Sequence, residues 1–103
     1  MKRMAVRMQL KEGFETEYQK RHNEIWPELL EKFKEYGISD FSIFLDKSNN
    51  DIIAVRKIEG DAFLELKKEE IAKKWNAYMA DILETNPDNS PVSFPLTEVF
   101  YVK

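Results

Sequence analysis

The spacing of apolar residues changes several times along this chain, and the order of those changes constrains the fold more than any other feature. The first segment is a strand pattern in which every second residue is apolar: Met4, Val6, Met8 and Leu10. Residues 41–45, 52–58 and 96–102 also predict strands. Two stretches between these segments repeat their apolar residues every three or four positions, which is the spacing of a helix.

The first helical stretch carries an interruption. Its apolar stripe runs from Phe14 to Tyr36, and Gly37 follows at the position where glycine commonly ends a helix. Pro27 lies inside the stretch and cannot donate a backbone hydrogen bond. The sequence therefore predicts a break between His22 and Pro27, with Asn23 capping the second half.

The second helical stretch begins near residue 61 or 68 and ends at Leu83, which gives the order β-α-β-β-α-β. This order predicts a ferredoxin-like α+β fold, with a four-stranded antiparallel sheet and the helices on one face. A length of 103 residues fits one domain covering 1–103. Strand segments 41–45 and 99–102 are apolar on both faces, so we expect the uncovered face to pair with a second copy in a homodimer.

Composition excludes several classes of function. A net charge of −3, with acidic and basic residues interspersed, argues against a nucleic-acid partner. The chain has no cysteine and one histidine, so only an all-carboxylate metal site stays open, and we expect no metal. No glycine-rich phosphate loop occurs, and we expect no cofactor. Since no segment reaches the length of a membrane span, we expect a cytoplasmic protein without a membrane partner.

His22 is the first candidate for chemistry, because imidazole exchanges protons near neutral pH. Tyr18 lies four residues earlier, so both side chains project from the same helix face towards the sheet. The alternative interpretation is a histidine that is simply hydrogen-bonded within the core.

Aromatic residues form a second candidate group. Rings of this kind line sugar pockets, where their faces pack on C–H bonds: Tyr18, Trp26, Phe41, Trp75 and Tyr78. Asn76 follows Trp75 and adds an amide beside an apolar ring. Their spacing fits ordinary core packing as well.

Charged residues are less informative. Arg3, Arg7 and Arg56 lie in strand patterns, where they either project into a polar pocket or flank the sheet. The carboxylates are scattered, and no spacing marks a catalytic pair.

Several motifs resemble those of the L-rhamnose mutarotase family over the whole chain. The longest is Tyr18–Leu29, and the others are shorter: Leu45–Lys47, Tyr78–Met79, Asn86–Pro91 and Glu98–Tyr101. The resemblance implies a dimeric ferredoxin-like fold of the α/β-barrel type and a cofactor-free enzyme that interconverts the α and β anomers of L-rhamnose.

The resemblance also assigns residues. The family's proton donor corresponds to His22, and its substrate-binding positions fall on Tyr18, Phe41, Trp75 and Asn76. Better-known members carry tyrosine at the position of Phe41 and a second tryptophan at that of Asn76. Trp26 is expected to shape the apolar wall of the pocket.

Three other functions stay open at this point. The departures at Phe41 and Asn76 favour a mutarotase for another 6-deoxy sugar, such as L-fucose. Small monooxygenases share the dimeric fold, although fold alone carries little weight. The third possibility is a dimeric module that binds a sugar without catalysing anomer exchange.

Overall fold

The computed structural model describes residues 2–103, which contain four strands and four helices. The elements in chain order are β1 (Lys2–Gln9), α1 (Glu15–Asn23), α2 (Pro27–Glu35), β2 (Ser39–Asp46), β3 (Asp51–Ile58), α3 (Ala62–Leu66), α4 (Glu70–Met79) and β4 (Ser93–Leu96). The strands form one antiparallel sheet in the order β2-β3-β1-β4. The predicted ferredoxin-like α+β fold is confirmed, and each predicted helical stretch is divided in two.

The register of the sheet separates two faces. Leu45, Ile52, Met8 and Ser93 form one cross-strand row on the face towards the helices, and Ile43, Ala54, Val6 and Pro95 form the next. Rows of the opposite face alternate with these, because successive side chains of a strand point to opposite sides.

The break in the first helical stretch is confirmed. α1 ends at Asn23 and α2 begins at Pro27, with Trp26 in extended geometry before it (ψ 129°). Proline is well suited to the first turn of a helix, where its missing N–H costs nothing. The expectation that Asn23 caps the second half is wrong, because Asn23 is the last residue of α1 and Trp26 occupies the cap position.

The last strand lies elsewhere than predicted. β4 is Ser93–Leu96, and residues 97–103 have no regular structure. Pro95 sits within this strand, opposite Val6, rather than before it. Proline is tolerated there because β4 is an edge strand. The apolar residues Val99–Val102, which suggested the strand, are instead exposed.

The core on the helical side consists of two separate clusters. The first joins α1 and the end of α4 to the sheet through Leu10, Tyr18, Ile52, Met79, Ile82 and Leu83. The second gathers at the other end around Ile38, Ile58 and Leu66, with partly buried Phe33, Phe41 and Phe63 against it. No helix in residues 2–103 is long and apolar enough to cross a membrane.

Gly37 lies at a backbone position that favours glycine. Its φ is 71°, its N–H donates to the carbonyl of Lys34, and the N–H of Ile38 donates to the carbonyl of Phe33 at 2.8 Å. This pair of bonds closes the C-terminus of α2 and turns Ile38 into the second core cluster.

Gly37→Ala is expected to lower the free energy of unfolding by about 1–2 kcal/mol, since a side chain at positive φ is strained. Chemical denaturation measures the change. Lys34→Ala, an exposed change in the same helix, should alter it by less than about 0.5 kcal/mol. Equal effects of the two substitutions would contradict the strain argument.

Candidate active site

A cavity of about 420 Å³ separates the two core clusters, within the range of about 300–1,000 Å³ typical of small-molecule pockets. Val6, Ala54 and Arg56 of the sheet form part of its lining, and Ala54 contributes only a methyl group. Most of the lining is apolar, and its polar side chains are few: Tyr18, His22, Arg56, Lys67, Asn76 and Ser93. An apolar hollow with a few polar groups is the usual form of a site that binds a small organic molecule.

The helix break helps to shape one side of this cavity. Trp26, in the break, packs edge-on against Trp75 of α4 with 5.0 Å between ring centroids, and lies 5.4 Å from the ring of Tyr78. Trp75 in turn lines the cavity. The two tryptophans therefore join the junction of α1 and α2 to α4.

Arg21 fixes α1 against the end of α4. Its guanidinium donates to the carboxylate of Asp81 at 2.9 Å, to Glu17 at 2.7 Å and to the carbonyl of Tyr78 at 2.9 Å. It also holds the pKa of the Asp81 carboxyl below its usual range. His22 follows Arg21 in the chain, so this anchor limits how far His22 can move relative to α4.

His22 is oriented by its own helix. Its Nδ1 lies 3.1 Å from the backbone carbonyl oxygen of Tyr18, which can only accept, so Nδ1 carries a proton. The imidazole ring is 4.3 Å from the ring of Tyr18 and meets Trp75 edge-on at 5.5 Å. In the neutral ring the lone pair is thus on Nε2, which is the nitrogen left to react with a ligand.

Burial sets the protonation of both groups. It lowers the pKa of His22 below its ordinary value of 6.5, and the hydrogen bond to the Tyr18 carbonyl opposes part of that shift. Burial also raises the pKa of the Tyr18 phenol, which therefore stays protonated. At neutral pH the site holds a neutral imidazole beside an intact phenol.

Of the seven histidine, aromatic and amide candidates from the sequence, five line one cavity: Tyr18, His22, Phe41, Trp75 and Asn76. Trp26 and Tyr78 are not among the lining residues, and both pack against Trp75. The carboxylates contribute little, because Asp81 pairs with Arg21 and Glu98 with Arg3. Among residues 2–103, no three histidine, cysteine, aspartate or glutamate side chains are grouped so as to hold a metal ion.

Arg56 is a lining residue that the sequence left undecided between a polar pocket and the flank of the sheet. It is 3% exposed, and its Nε has no hydrogen-bond partner among residues 2–103. Only its position in β3, on the same face as Ile52, Ala54 and Ile58, indicates that it points inward. Ile53 and Val55 are apolar too, so the sequence alone did not reveal which face of the strand is buried.

The chain is similar to known proteins over nearly its whole length. A family model described as L-rhamnose mutarotase matches residues 3–102. An L-rhamnose mutarotase of Bacteroides thetaiotaomicron is 53% identical over 99% of both chains.

Solved structures agree with this likeness. The crystal structure of an L-rhamnose mutarotase from Formosa agariphila superposes with a TM-score of 0.93 at 47% identity, covering 100% of both chains. Rv0793 from Mycobacterium tuberculosis has a TM-score of 0.64 at 8% identity and covers 98% of this chain and 97% of its own, so it shares the fold alone.

Titration of the single histidine tests the buried environment of His22. The NMR signals of its ring should move with a midpoint below 6.5, since burial disfavours the imidazolium. The same histidine in urea-unfolded chain should titrate at about 6.5 and supplies the reference. A folded-state midpoint at or above the unfolded one would contradict the proposed neutral imidazole.

Proposed function

The chain belongs to the L-rhamnose mutarotase family, and we propose how it carries out the reaction of that family: it interconverts the α and β anomers of L-rhamnose, with His22 moving the proton. We base the assignment of His22 on one observation. Its Nδ1 is held by a backbone carbonyl while the same ring lines the cavity, so Nε2 is free for the sugar.

The reaction requires one proton to move between two oxygens on the same carbon. Ring opening removes a proton from the anomeric hydroxyl, breaks the bond between C1 and the ring oxygen, and places a proton on that oxygen. The open aldehyde then turns about the C1–C2 bond. Attack of the C5 hydroxyl on the other face of C1 returns the proton and gives the other anomer.

A single imidazole can serve both oxygens. In its neutral form, His22 accepts the anomeric proton at Nε2, and the resulting imidazolium donates a proton to the ring oxygen. The hydrogen bond from Nδ1 to the Tyr18 carbonyl stabilises the imidazolium during this exchange. Because burial lowers the pKa of His22, the form that accepts a proton predominates at neutral pH.

The surrounding residues hold the sugar. Trp75 and Phe41 offer ring faces for the C–H side of the pyranose, and Asn76 offers an amide for its hydroxyls. The protonated phenol of Tyr18 positions the anomeric end beside His22. Trp26 acts indirectly, by supporting Trp75 from behind.

His22→Gln should reduce the acceleration of anomer exchange by about 10²–10⁴-fold, the typical value of a general acid or base. Saturation transfer between the anomeric protons of L-rhamnose measures the exchange rate, with L-fucose tested in parallel. Lys20→Ala, on the exposed side of α1, serves as control and should keep full activity. Full activity in folded His22→Gln would eliminate His22 as the proton carrier.

We also propose a symmetric homodimer formed through the outer face of the sheet. Two cross-strand rows lie on that face, Phe44–Ile53–Arg7–Phe94 and Ser42–Val55–Ala5–Leu96. Phe44 is 59% exposed and Phe94 is 50% exposed. A sheet face with exposed aromatic and aliphatic side chains is suited to packing against its copy across a twofold axis.

The C-terminal tail extends this apolar surface. Val99 is 90% exposed and Phe100 is 80% exposed, while Tyr101 folds back so that Arg3 lies 4.3 Å from its ring centroid. Arg3 points to the outer face, so the tail begins beside the rows that the second copy would cover. Burial of both surfaces in one interface would remove them from water.

Phe44→Glu should convert the dimer to a monomer, because it replaces an exposed aromatic ring of this face with a charge. Size-exclusion chromatography with light scattering measures the mass. Leu64→Glu is the matched control, since Leu64 is 57% exposed on α3 and should leave the mass unchanged. A dimer that survives Phe44→Glu but not Leu64→Glu would place the interface on the helical side.

Three expectations from the sequence stay predictions. They are the assignment of residues 1–103 to one domain, catalysis without a cofactor, and a cytoplasmic location.

A further inference from the structure

Arg56 is a charged residue in a row of β3 whose other members are apolar. It shares the inward face of the strand with Ile52, Ala54 and Ile58, all of which are buried. Its own exposure of 3% places the guanidinium out of bulk water, and it lines the cavity that holds His22. A buried cation normally has an anionic or hydrogen-bonding partner, because its desolvation is costly.

The protein supplies Arg56 with rings instead of acceptors. Its guanidinium carbon lies 3.9 Å from the ring centroid of Phe63 and 5.7 Å from that of Phe41. None of the ion pairs among residues 2–103 includes Arg56, and its Nε is without a hydrogen-bond partner there. Ring contacts satisfy the face of a guanidinium but leave its N–H groups, which lie in the plane, in need of oxygen atoms.

The fork of the guanidinium limits what those oxygens can be. Two parallel N–H groups match two adjacent oxygens, as in a carboxylate, a phosphate or a vicinal diol. A neutral sugar offers the diol. Since the proposed reaction acts on a neutral deoxy sugar, the diol is the ligand that fits both the arginine and the chemistry.

The positions of His22 and Arg56 beside different core clusters indicate which hydroxyls of the sugar Arg56 contacts. His22 contacts Tyr18 and Trp75 on the side of the first cluster, whereas Arg56 contacts Phe63 and Phe41 on the side of the second. The reacting C1 and ring oxygen must lie at His22. Across a pyranose ring from the bond between those two atoms is the C3–C4 bond.

We propose that Arg56 binds the 3- and 4-hydroxyls of the sugar and thereby fixes its anomeric end at His22. This inference rests on the proposed function, since it uses the position of the reacting atoms. Arg56 acts here as a substrate-binding and specificity-determining residue, and the rings of Phe63 and Phe41 hold its plane in place.

A cycle of two proteins and two sugars tests the assignment. The proteins are the intact enzyme and Arg56→Met, and the sugars are L-rhamnose and its 4-deoxy analogue. The intact enzyme should bind L-rhamnose roughly 10- to 150-fold more tightly than the 4-deoxy analogue, because the analogue lacks one hydrogen bond to a charged group. In Arg56→Met that preference should fall to less than about twofold, because a thioether cannot distinguish the two sugars. Titration calorimetry or ligand-observed NMR gives the four affinities.

Two further readouts separate binding from a structural role. Loss of contacts to distant hydroxyls should raise KM for anomer exchange with little change in kcat, since these contacts are the same in ground and transition states. The Tm of Arg56→Met should be equal to or higher than that of the intact protein, because an unpaired buried cation has been removed. If Arg56 had only a structural role, its replacement would instead lower the Tm and weaken the binding of both sugars equally. That outcome would overturn the proposal.

Control variants keep the test decisive. Lys73→Met makes the same cation-to-methionine change on the exposed side of α4 and should leave every readout unchanged. If Arg56→Met does not fold, Arg56→Lys keeps the charge but loses the planar fork, and it should lose most of the preference for L-rhamnose. Full preference in a folded Arg56→Lys would contradict bidentate binding.

The two proposals fail in different ways. No acceleration of anomer exchange by the intact enzyme would reject the proposed function. Normal acceleration, together with an unchanged sugar preference in Arg56→Met, would reject only the role of Arg56. If the substitution abolished binding of a sugar acid such as L-rhamnonate but not of L-rhamnose, Arg56 would be an anion site and the assignment to hydroxyls would be wrong.

Discussion

The arrangement of the site depends on the inability of Pro27 to continue a helix from the preceding residues. α1 stops at Asn23, the chain passes through Trp26 in extended geometry, and a new helix starts at Pro27. An unbroken helix from residue 15 to 35 would be about 30 Å long and straight. The break lets its two halves follow different ends of the sheet, and the side chain of Trp26 joins the junction to Trp75.

The space between the two core clusters carries an energetic consequence for so small a protein. A chain of this length buries only about two thirds of its unfolded surface, and here a cavity of about 420 Å³ lies between the two core clusters. Hydrogen bonds and ion pairs at the edges of the cavity compensate for the limited apolar core. Arg21 ties α1 to the end of α4 through Asp81 and the carbonyl of Tyr78, and the bonds around Gly37 close α2 onto the second cluster.

The sequence predicted those parts of the molecule that depend on the spacing of apolar residues. It failed where apolar spacing does not determine which segment pairs with the sheet or which side of a strand is buried. Alternation located β1, short apolar runs located β2 and β3, and the four-residue separation of Tyr18 and His22 placed both in the cavity. The apolar tail suggested the fourth strand, but the backbone pairing belongs to the segment around Pro95, because an edge strand accepts a proline. The sequence left Arg56 undecided between a polar pocket and the flank of the sheet, because β3 is apolar on both faces and nothing in its pattern marked the inward side.

Ala54 shows how a fold of this kind can change its ligand without changing its architecture. Its methyl group lies in the cavity lining, in the row with Ile43, Val6 and Pro95, at the centre of the sheet where the backbone is held from both sides. A valine or leucine at that one position would extend from the sheet into the cavity and reduce the distance between the sheet and the helices. A single small residue on a central strand therefore contributes to the depth of the site, and its replacement would select for thinner ligands while His22 and Tyr18 stay in place.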